Sequence, residues 1–484
     1  MSCSSCIPSF DFDTCSSERT ITSISSICVL STNSFVTNWP STISTTFVNP
    51  NISINGLRSD AFERIATMTP TTTFTSHPAF TPQYEFTDYH STGSAFVTVD
   101  ISNTLVLLTA SNAGGRAVRQ SHEYLLYQPA KSHVVYFTMV PQYSGNFNNY
   151  FAVRAGIFDD YRDKNTPSST YPGTGLETNQ PSMGHYFELS GNSWFAVERY
   201  NSPDNIANVT RVAQSNWNGD TLNGNPATNP SGFTLAGRET SGLLCWIERQ
   251  WLGVGIVRMG FSFNGNFIIA HTFQSRSINR AYTHLPKLPL RYEIEKVAGG
   301  PTSNVATMGT ICMSAQINGD YIPIGTLLSL PPTAISGSCR IGTTFMSPIL
   351  LLRLQQKYCR ATFKIKDVEL FGASAGMYAV LKNPTITGGT ISWTNHPDVR
   401  SLIEYAVFPS GSTSVYQVTG GVCIRSGFFN VRTAVQDTLS IDELFTTNCF
   451  AADIHGTCDV LCIALMSFSA NNDCYANARW IEIV

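Results

Sequence analysis

Gly372-Ala373-Ser374-Ala375-Gly376 has the G-x-S-x-G spacing that sets a serine hydroxyl on a strained turn between a strand and a helix, where a base can activate it for acyl transfer. The context argues otherwise. Met377-Tyr378-Ala379-Val380-Leu381 follows with the make-up of a strand, and no strand–helix alternation surrounds it, so a turn of small residues is the plainer reading of Ser374. Glu293 and Glu295 stand two apart on an expected strand and share one face at roughly 7 Å, near the ~5.5 Å carboxylate separation of a retaining glycosidase. The third acid that a jelly-roll glucanase carries further along is missing from Lys296-Val297-Ala298. Solvated or salt-bridged edge residues are the alternative.

Phosphate and metal chemistry find weaker footing. Gly253-Val254-Gly255 lacks the third glycine of a dinucleotide loop, and Gln128-Pro129-Ala130-Lys131-Ser132 has the Lys-Ser of a phosphate loop without its glycines. Asp159, Asp160 and Asp163 form too small a cluster to assign calcium, and the nine histidines show no HExxH spacing. Arg340, Arg353, Lys357, Arg360, Lys364 and Lys366 follow one another with no acid between, which fits either a phosphate or acidic-protein contact or one solvated strand face. Thirteen cysteines, an odd number spread from Cys3 to Cys474, read mostly as thiols, with Cys245, Cys312, Cys423 and Cys462 as small buried residues. Cys3 and Cys6 form a CxxC with no second pair, and Cys458 and Cys462 are four apart; neither makes a zinc site. No catalytic, cofactor-binding or metal residue is assigned, and no cofactor is expected.

The elements that would carry these residues are strands. With 484 residues the chain exceeds one ordinary domain about threefold. Charged residues make up 13%, against roughly 25% in an average globular protein, so long solvated helices have too little Glu, Lys and Arg to be built. A net charge of −3 gives no general attraction to nucleic acid or anionic membrane, and no apolar run approaches the ~20 residues of a membrane span. The first twenty residues have neither the basic nor the apolar region of a secretory signal, so the sequons at Asn51 and Asn208 are not expected to carry glycan.

Residues 16–46 are about half Ser and Thr and are followed by Asn49-Pro50, Thr69-Pro70 and His77-Pro78, which predicts an extended arm over 1–90 anchored by Val29, Phe35, Trp39 and Phe47. Short strands separated by Asn-Gly, Ser-Gly and Asn-Asn turns follow at 95–99, 105–109, 134–140, 150–158, 186–189, 194–198, 257–263 and 267–273. After Pro331-Pro332 the pattern resumes at 349–354, 361–370, 377–381, 390–393, 414–418, 460–468 and 480–484. Short helices are expected only at 60–66 and 432–445. The fold class is all-β: a jelly-roll, lectin-like sandwich over 91–340 and a second β-sandwich over 341–484, preceded by the arm.

One resemblance is specific. Arg119-Gln120-Ser121, Tyr124-Leu125-Leu126-Tyr127-Gln128-Pro129-Ala130-Lys131-Ser132 and Gly156-Ile157-Phe158-Asp159-Asp160 open it. It continues through Gly184-His185-Tyr186-Phe187-Glu188-Leu189, the loop Asn216-Trp217-Asn218-Gly219-Asp220-Thr221-Leu222-Asn223-Gly224 and Pro230-Ser231-Gly232. Trp246-Ile247-Glu248-Arg249-Gln250-Trp251-Leu252-Gly253-Val254-Gly255 and Leu288-Pro289-Leu290-Arg291-Tyr292-Glu293-Ile294 close it. Together these resemble virion structural proteins, minor capsid-like, of large DNA viruses and some tailed phages, with Ala130 standing where that family usually shows Gly. The resemblance implies a non-enzymatic capsid component located in the virion, with major capsid protein, other virion proteins and copies of itself as partners. It offers no catalytic residues. A glycan-binding attachment module on the same jelly roll, with an exposed aromatic platform, is the alternative; a hydrolase built on Ser374 or on Glu293 and Glu295 is a third.

Overall fold

The computed structural model describes residues 69–484 apart from 85–86, 113, 148–149, 161–182, 202–206, 275–280, 284–285, 298–303, 321–324, 332–338, 342–343, 373, 409–415, 430–434, 439–448, 470–471 and 484. The expected arm up to residue 68 and the expected helix at 60–66 lie outside the described residues. Thr67–Val484 form one compact unit with two large hydrophobic cores.

The first core is pressed between two antiparallel sheets. One runs, by neighbouring strands, Asn266–Phe273, Val257–Phe263, Leu243–Arg249, His133–Gly145, Ala306–Asn318, Leu105–Ala110, Phe96–Asp100, with Pro70–Ser76 also on Ala306–Asn318. The other runs Ala207–Ala213, Ser193–Asn201, Met183–Ser190, Phe151–Asp159, Leu290–Lys296, Arg116–Ser121, Thr87–Thr92. The chain passes repeatedly from sheet to sheet, for example from Leu105–Ala110 to Arg116–Ser121 and back to His133–Gly145, as a jelly roll does. Strict alternation writes the packing: Val257, Met259 and Phe261 face Phe187, Trp194 and their neighbours across the sandwich, while Arg258, Gly260 and Ser262 face out.

The second core lies between Thr326–Ser329, Asn472–Ile483, Thr362–Gly372 and Val435–Thr438 on one side and Thr394–Asn395, Ile403–Val407, Ser347–Leu354, Val460–Ser467, Gly376–Lys382 and Val422–Phe429 on the other. Leu350, Leu352, Phe363, Val380, Ile463 and Trp480 fill it. Apart from two single 3-10 turns, the regular structure of the described residues is all strand, in two sandwiches, as composition and turns imply.

Several local expectations are corrected. The end of the expected arm, residues 70–90, instead enters two strands, Pro70–Ser76 and Thr87–Thr92, because a threonine run suits a pleated surface and Pro70 sits at a strand start, where a missing N–H costs least. Val435–Thr438, inside the expected helix at 432–445, is a strand whose backbone pairs with Asp367–Leu370. The expected strand at 390–393 is irregular, with Thr394–Asn395 alone pairing beside it. Cys423 is exposed and Cys312 half-buried, whereas Cys245 and Cys462 are buried as expected.

Two turns show why their residues are there. Asn264 and Gly265 have φ of 50° and 78°, the double positive φ of a type I′ hairpin joining Phe263 to Asn266. In Gln128-Pro129-Ala130-Lys131 the Lys131 N–H donates to the Gln128 carbonyl at 3.4 Å, proline holds the second position and Ala130 the third with φ 63°. That third position favours glycine. Ala130→Gly is expected to raise stability by about 0.5–1 kcal/mol, read as a higher urea midpoint at unchanged slope; a lower midpoint would contradict the strain at Ala130.

Candidate functional site

Glu293 and Glu295 sit on Leu290–Lys296, in the middle of the second sheet, and alternation turns both away from the core that Tyr292 and Ile294 fill. Strand register then assembles a charged row. Arg154 on Phe151–Asp159 lies opposite Glu293 on one side and opposite Glu188 of Met183–Ser190 on the other. Arg154 Nη1 donates to Glu293 and to Glu295 at 2.5 Å each, and its Nε donates to Glu188 at 2.7 Å. Arg291 closes the far side of Glu293 with bonds of 2.6 and 3.2 Å, Arg116 stands 3.6 Å from it, and Arg211 holds the other oxygen of Glu188 at 2.7 Å.

Electrostatics follows from burial. Burial alone would raise the pKa of Glu293, but the guanidiniums of Arg291 and Arg154 outweigh it and hold the carboxyl down at about 2. Burial likewise acts to lower the pKa of Arg154, and Glu293 and Glu188 drive it well above the ordinary value. A glycosidase pair needs one carboxyl protonated at working pH and open space between the two. Here both carboxylates share one guanidinium. The row is a structural ladder.

The other sequence candidates separate in space. Ser374 lies between Thr362–Gly372 and Gly376–Lys382, strands of opposite sheets, with its hydroxyl 3.2 Å from that of Ser467. No helix follows it. Ser132 donates to Glu248 at 2.7 Å and Lys131 to the Asp320 carbonyl, so the Lys-Ser pair ties its turn to the strand Leu243–Arg249 and to the chain after Ala306–Asn318. Gly255 closes a tight loop in which any Cβ would meet the Gln250 carbonyl. Asp160 stands 3.5 Å from Arg116 and 3.7 Å from Arg199, Asp159 pairs with Arg360, and Asp163 lies outside the described residues.

The basic run does not make one face either. Arg353 pairs with Glu404 at 2.5 Å under Trp393, Arg360 reaches Asp159 in the first sandwich, and Lys364 is buried near Glu123. Asp220, in the Gly-rich loop, is buried and accepts the Leu222 and Ser231 N–H groups at 2.9 Å each. Trp246 is buried, its Nε1 donating to the Phe261 carbonyl at 3.1 Å, and Trp251 donates to Thr283 at 2.7 Å.

What the sequence reading missed is on the outer faces. Tyr136, Trp246, Gly260 and Ile269 stand in one cross-strand row of the first sheet, and Thr138, Leu244, Ser262 and Phe267 in the next. Gly260 lets the Trp246 ring lie down on the sheet, since a Cβ there would come within 2.5 Å of it. Phe267 is 46%, Ile269 39% and Leu244 38% exposed around it. On the second sandwich Phe428, Met377 and Met466 form one row across three strands. Phe428 is 70% exposed, and Phe468, 55% exposed, has its ring 6.1 Å away. The available signal was the strand Leu243–Arg249, apolar at consecutive positions instead of alternating.

No family model matches the chain, and no curated protein matches it. Solved structures similar to it include the endo-1,3-beta-glucanase of Streptomyces sioyaensis, at 11% identity over 52% of this chain and 97% of that one, with a TM-score of 0.34. The Bacillus licheniformis beta-glucanase shares 11% identity over 51% of this chain and 99% of its own, TM-score 0.30. The carbohydrate recognition domain of Emp47p shares 10% over 52% and 97%, TM-score 0.30. No residue role follows from likenesses of this degree.

Proposed function

We propose that this chain is a non-enzymatic structural component of a virus particle, a minor capsid or capsid-cementing protein that binds major capsid subunits and copies of itself through its sheet faces. The observation that carries the reading is the pair of outward apolar rows, one on each sandwich. An antiparallel sheet with a free face alternates apolar-in and polar-out. In these rows Tyr136, Trp246, Leu244, Phe267, Ile269, Phe428, Met377 and Met466 stand beside Thr138, Gly260 and Ser262 with no Lys, Glu or Asp among them, apolar and aromatic side chains of the kind interface cores favour; the outward charges of the first sheet, Glu248 and Arg258, pair with each other in the adjoining row. The resemblance to virion structural proteins supplies the kind of assembly.

The test combines Phe267→Ser with Phe428→Ser, both exposed side chains whose loss leaves the cores intact. Sedimentation is expected to show self-association of the unaltered protein weakened tenfold or more in the double variant, since each buried Phe is worth about 1.5–3 kcal/mol. Equal sedimentation of the two proteins would overturn the reading. The carbohydrate-binding alternative has one observation in its favour: the half-exposed Phe267 ring, edge-on to Trp246 at 5.9 Å and to Tyr136 at 6.0 Å, is a surface on which a sugar could stack. Specific glycan capture lost in the same variant would move the assignment there.

A further inference from the structure

Arg249 ends the strand Leu243–Arg249, and alternation puts it on the same side as Leu243, Cys245 and Ile247, which face the core. Its side chain is therefore between the sheets, 4% exposed. The arginines of the second sheet's outer ladder each meet a carboxylate, and Arg119, buried between the sheets, donates to Thr310, Ser76 and the Ile311 carbonyl; Arg249, on the inner side of the first sheet, has far less. Its Nη2 donates to the Pro286 carbonyl, its Nη1 has no hydrogen-bond partner among the described residues, and the groups that bear on its charge are the phenols of Tyr282 and Tyr127. The Tyr282 hydroxyl, also buried, has no partner either.

A buried guanidinium without a counter-charge is among the costliest arrangements a protein interior can hold. Beside it lies a small cavity lined by Arg249, His133, Thr73 and Gln316 and by apolar side chains such as Val135 and Ile157, with room for about one water-sized guest. His133 cannot balance the charge: burial first, and Arg249 with it, pushes the imidazole down to about 4 despite its bonds to Gln128, so it is neutral at pH 7. Among its described lining residues the cavity thus has one fixed positive charge, that of Arg249, which also carries the unpaired N–H, and no carboxylate.

We propose that this cavity is a binding site for a small monatomic anion, chloride in ordinary buffers, paired with the Arg249 guanidinium between the two sheets of the first sandwich. The space excludes phosphate, sulfate and carboxylate ligands. The ion would satisfy Nη1 and neutralise the guanidinium, and the Tyr282 hydroxyl is a second donor in the same neighbourhood.

The full chain is dialysed free of halide and its thermal unfolding followed against sodium chloride, with sodium gluconate holding ionic strength constant. A saturable rise in Tm of about 2 °C or more is expected with chloride and with bromide. Arg249→Met, close in volume and uncharged, is expected to abolish that rise while remaining folded. A Tm indifferent to halide at fixed ionic strength, or an unchanged halide response in Arg249→Met, would overturn the assignment. Should the variant fail to fold, bromide-soaked crystals of the unaltered protein decide it: an anomalous peak against Nη1 supports the site, and none there means the cavity holds neutral water only.

Discussion

Glu293→Gln is expected to cost about 3–5 kcal/mol of stability, because the substitution keeps the side chain's shape while leaving Arg154, Arg291 and Arg116 around an uncharged amide in a fully buried place. Urea unfolding reads this directly. Glu295→Gln, on a carboxylate 16% exposed and sharing Arg154 with two other acids, is expected to cost about 1 kcal/mol or less. The contrast separates a ladder from an active site. A catalytic acid is typically held at some expense to the fold, so its amide variant loses turnover while stability stays level or rises. Unchanged or increased stability of Glu293→Gln would reject the structural role. The pH dependence has a definite sign: a carboxyl lowered to about 2 stabilises the fold above its unfolded value near 4.5, and that contribution drains away as pH falls from about 4.5 towards 2. In Glu293→Gln this acid-side slope should flatten.

The second large effect is expected at the junction of the sandwiches. His122 follows the strand Arg116–Ser121 and is gripped from two sides: Nδ1 by Asp88 and Nε2 by Asp459 of the second sandwich, both at 2.9 Å. Asp459 is itself fixed by Asn383 at 2.6 Å, Lys382 at 3.0 Å and the Ala451 N–H at 3.0 Å, while Asp88 accepts the Ile454 N–H at 2.8 Å. Burial acts to lower the pKa of His122, but the two carboxylates prevail and raise it to about 10; His122 and Lys382 correspondingly keep Asp459 far below the usual carboxylate range.

A histidine raised in the fold stabilises fully below its unfolded pKa near 6.5, and that contribution, on the order of 3–5 kcal/mol, is lost as pH climbs from about 6.5 to 10. Asp459 contributes with the opposite sign, its share present above about pH 4 and lost only in strong acid. His122→Ala is therefore expected to be less stable than the unaltered chain at pH 6 by about 3 kcal/mol, and that difference to shrink between pH 7 and 10, while both proteins share the opposing slope of Lys287, which burial lowers to about 7, and the slope of the buried cysteine thiols. Equal alkaline slopes in the two proteins would show that the clamp is not ionised as described.

Much of this architecture is legible from neighbouring residues. The alternation of Val257 to Phe263 and the Asn264-Gly265 turn state a strand, its inward face and its end without reference to anything distant, while the unbroken apolar run Ile349 to Leu352 states a buried strand but not which face points inward. Segments dominated by Thr or by charge misled: Pro70–Ser76 is a strand because Ala306–Asn318 offers it an edge, and Val435–Thr438 because Thr362–Gly372 does. The Glu293 and Glu295 pair was visible as two carboxylates on one face, but its meaning was not. Arg154 is 139 residues from Glu293, Asp459 is 337 from His122, and no local pattern announces either partner.

The division has a physical basis. Backbone preference, side-chain alternation and turn chemistry act over a few bonds, so the order of residues alone determined that the described chain is built of strands, that it turns where Asn and Gly stand, and which side of an alternating strand such as Val257–Phe263 faces inward. Charge neutralisation, the shared guanidinium of the ladder, the clamp at the junction and the outward rows of Phe, Trp and Met depend on which strands lie side by side and in what register. That is decided by closing loops of a hundred residues or more against chain entropy, and it exists only in the folded molecule.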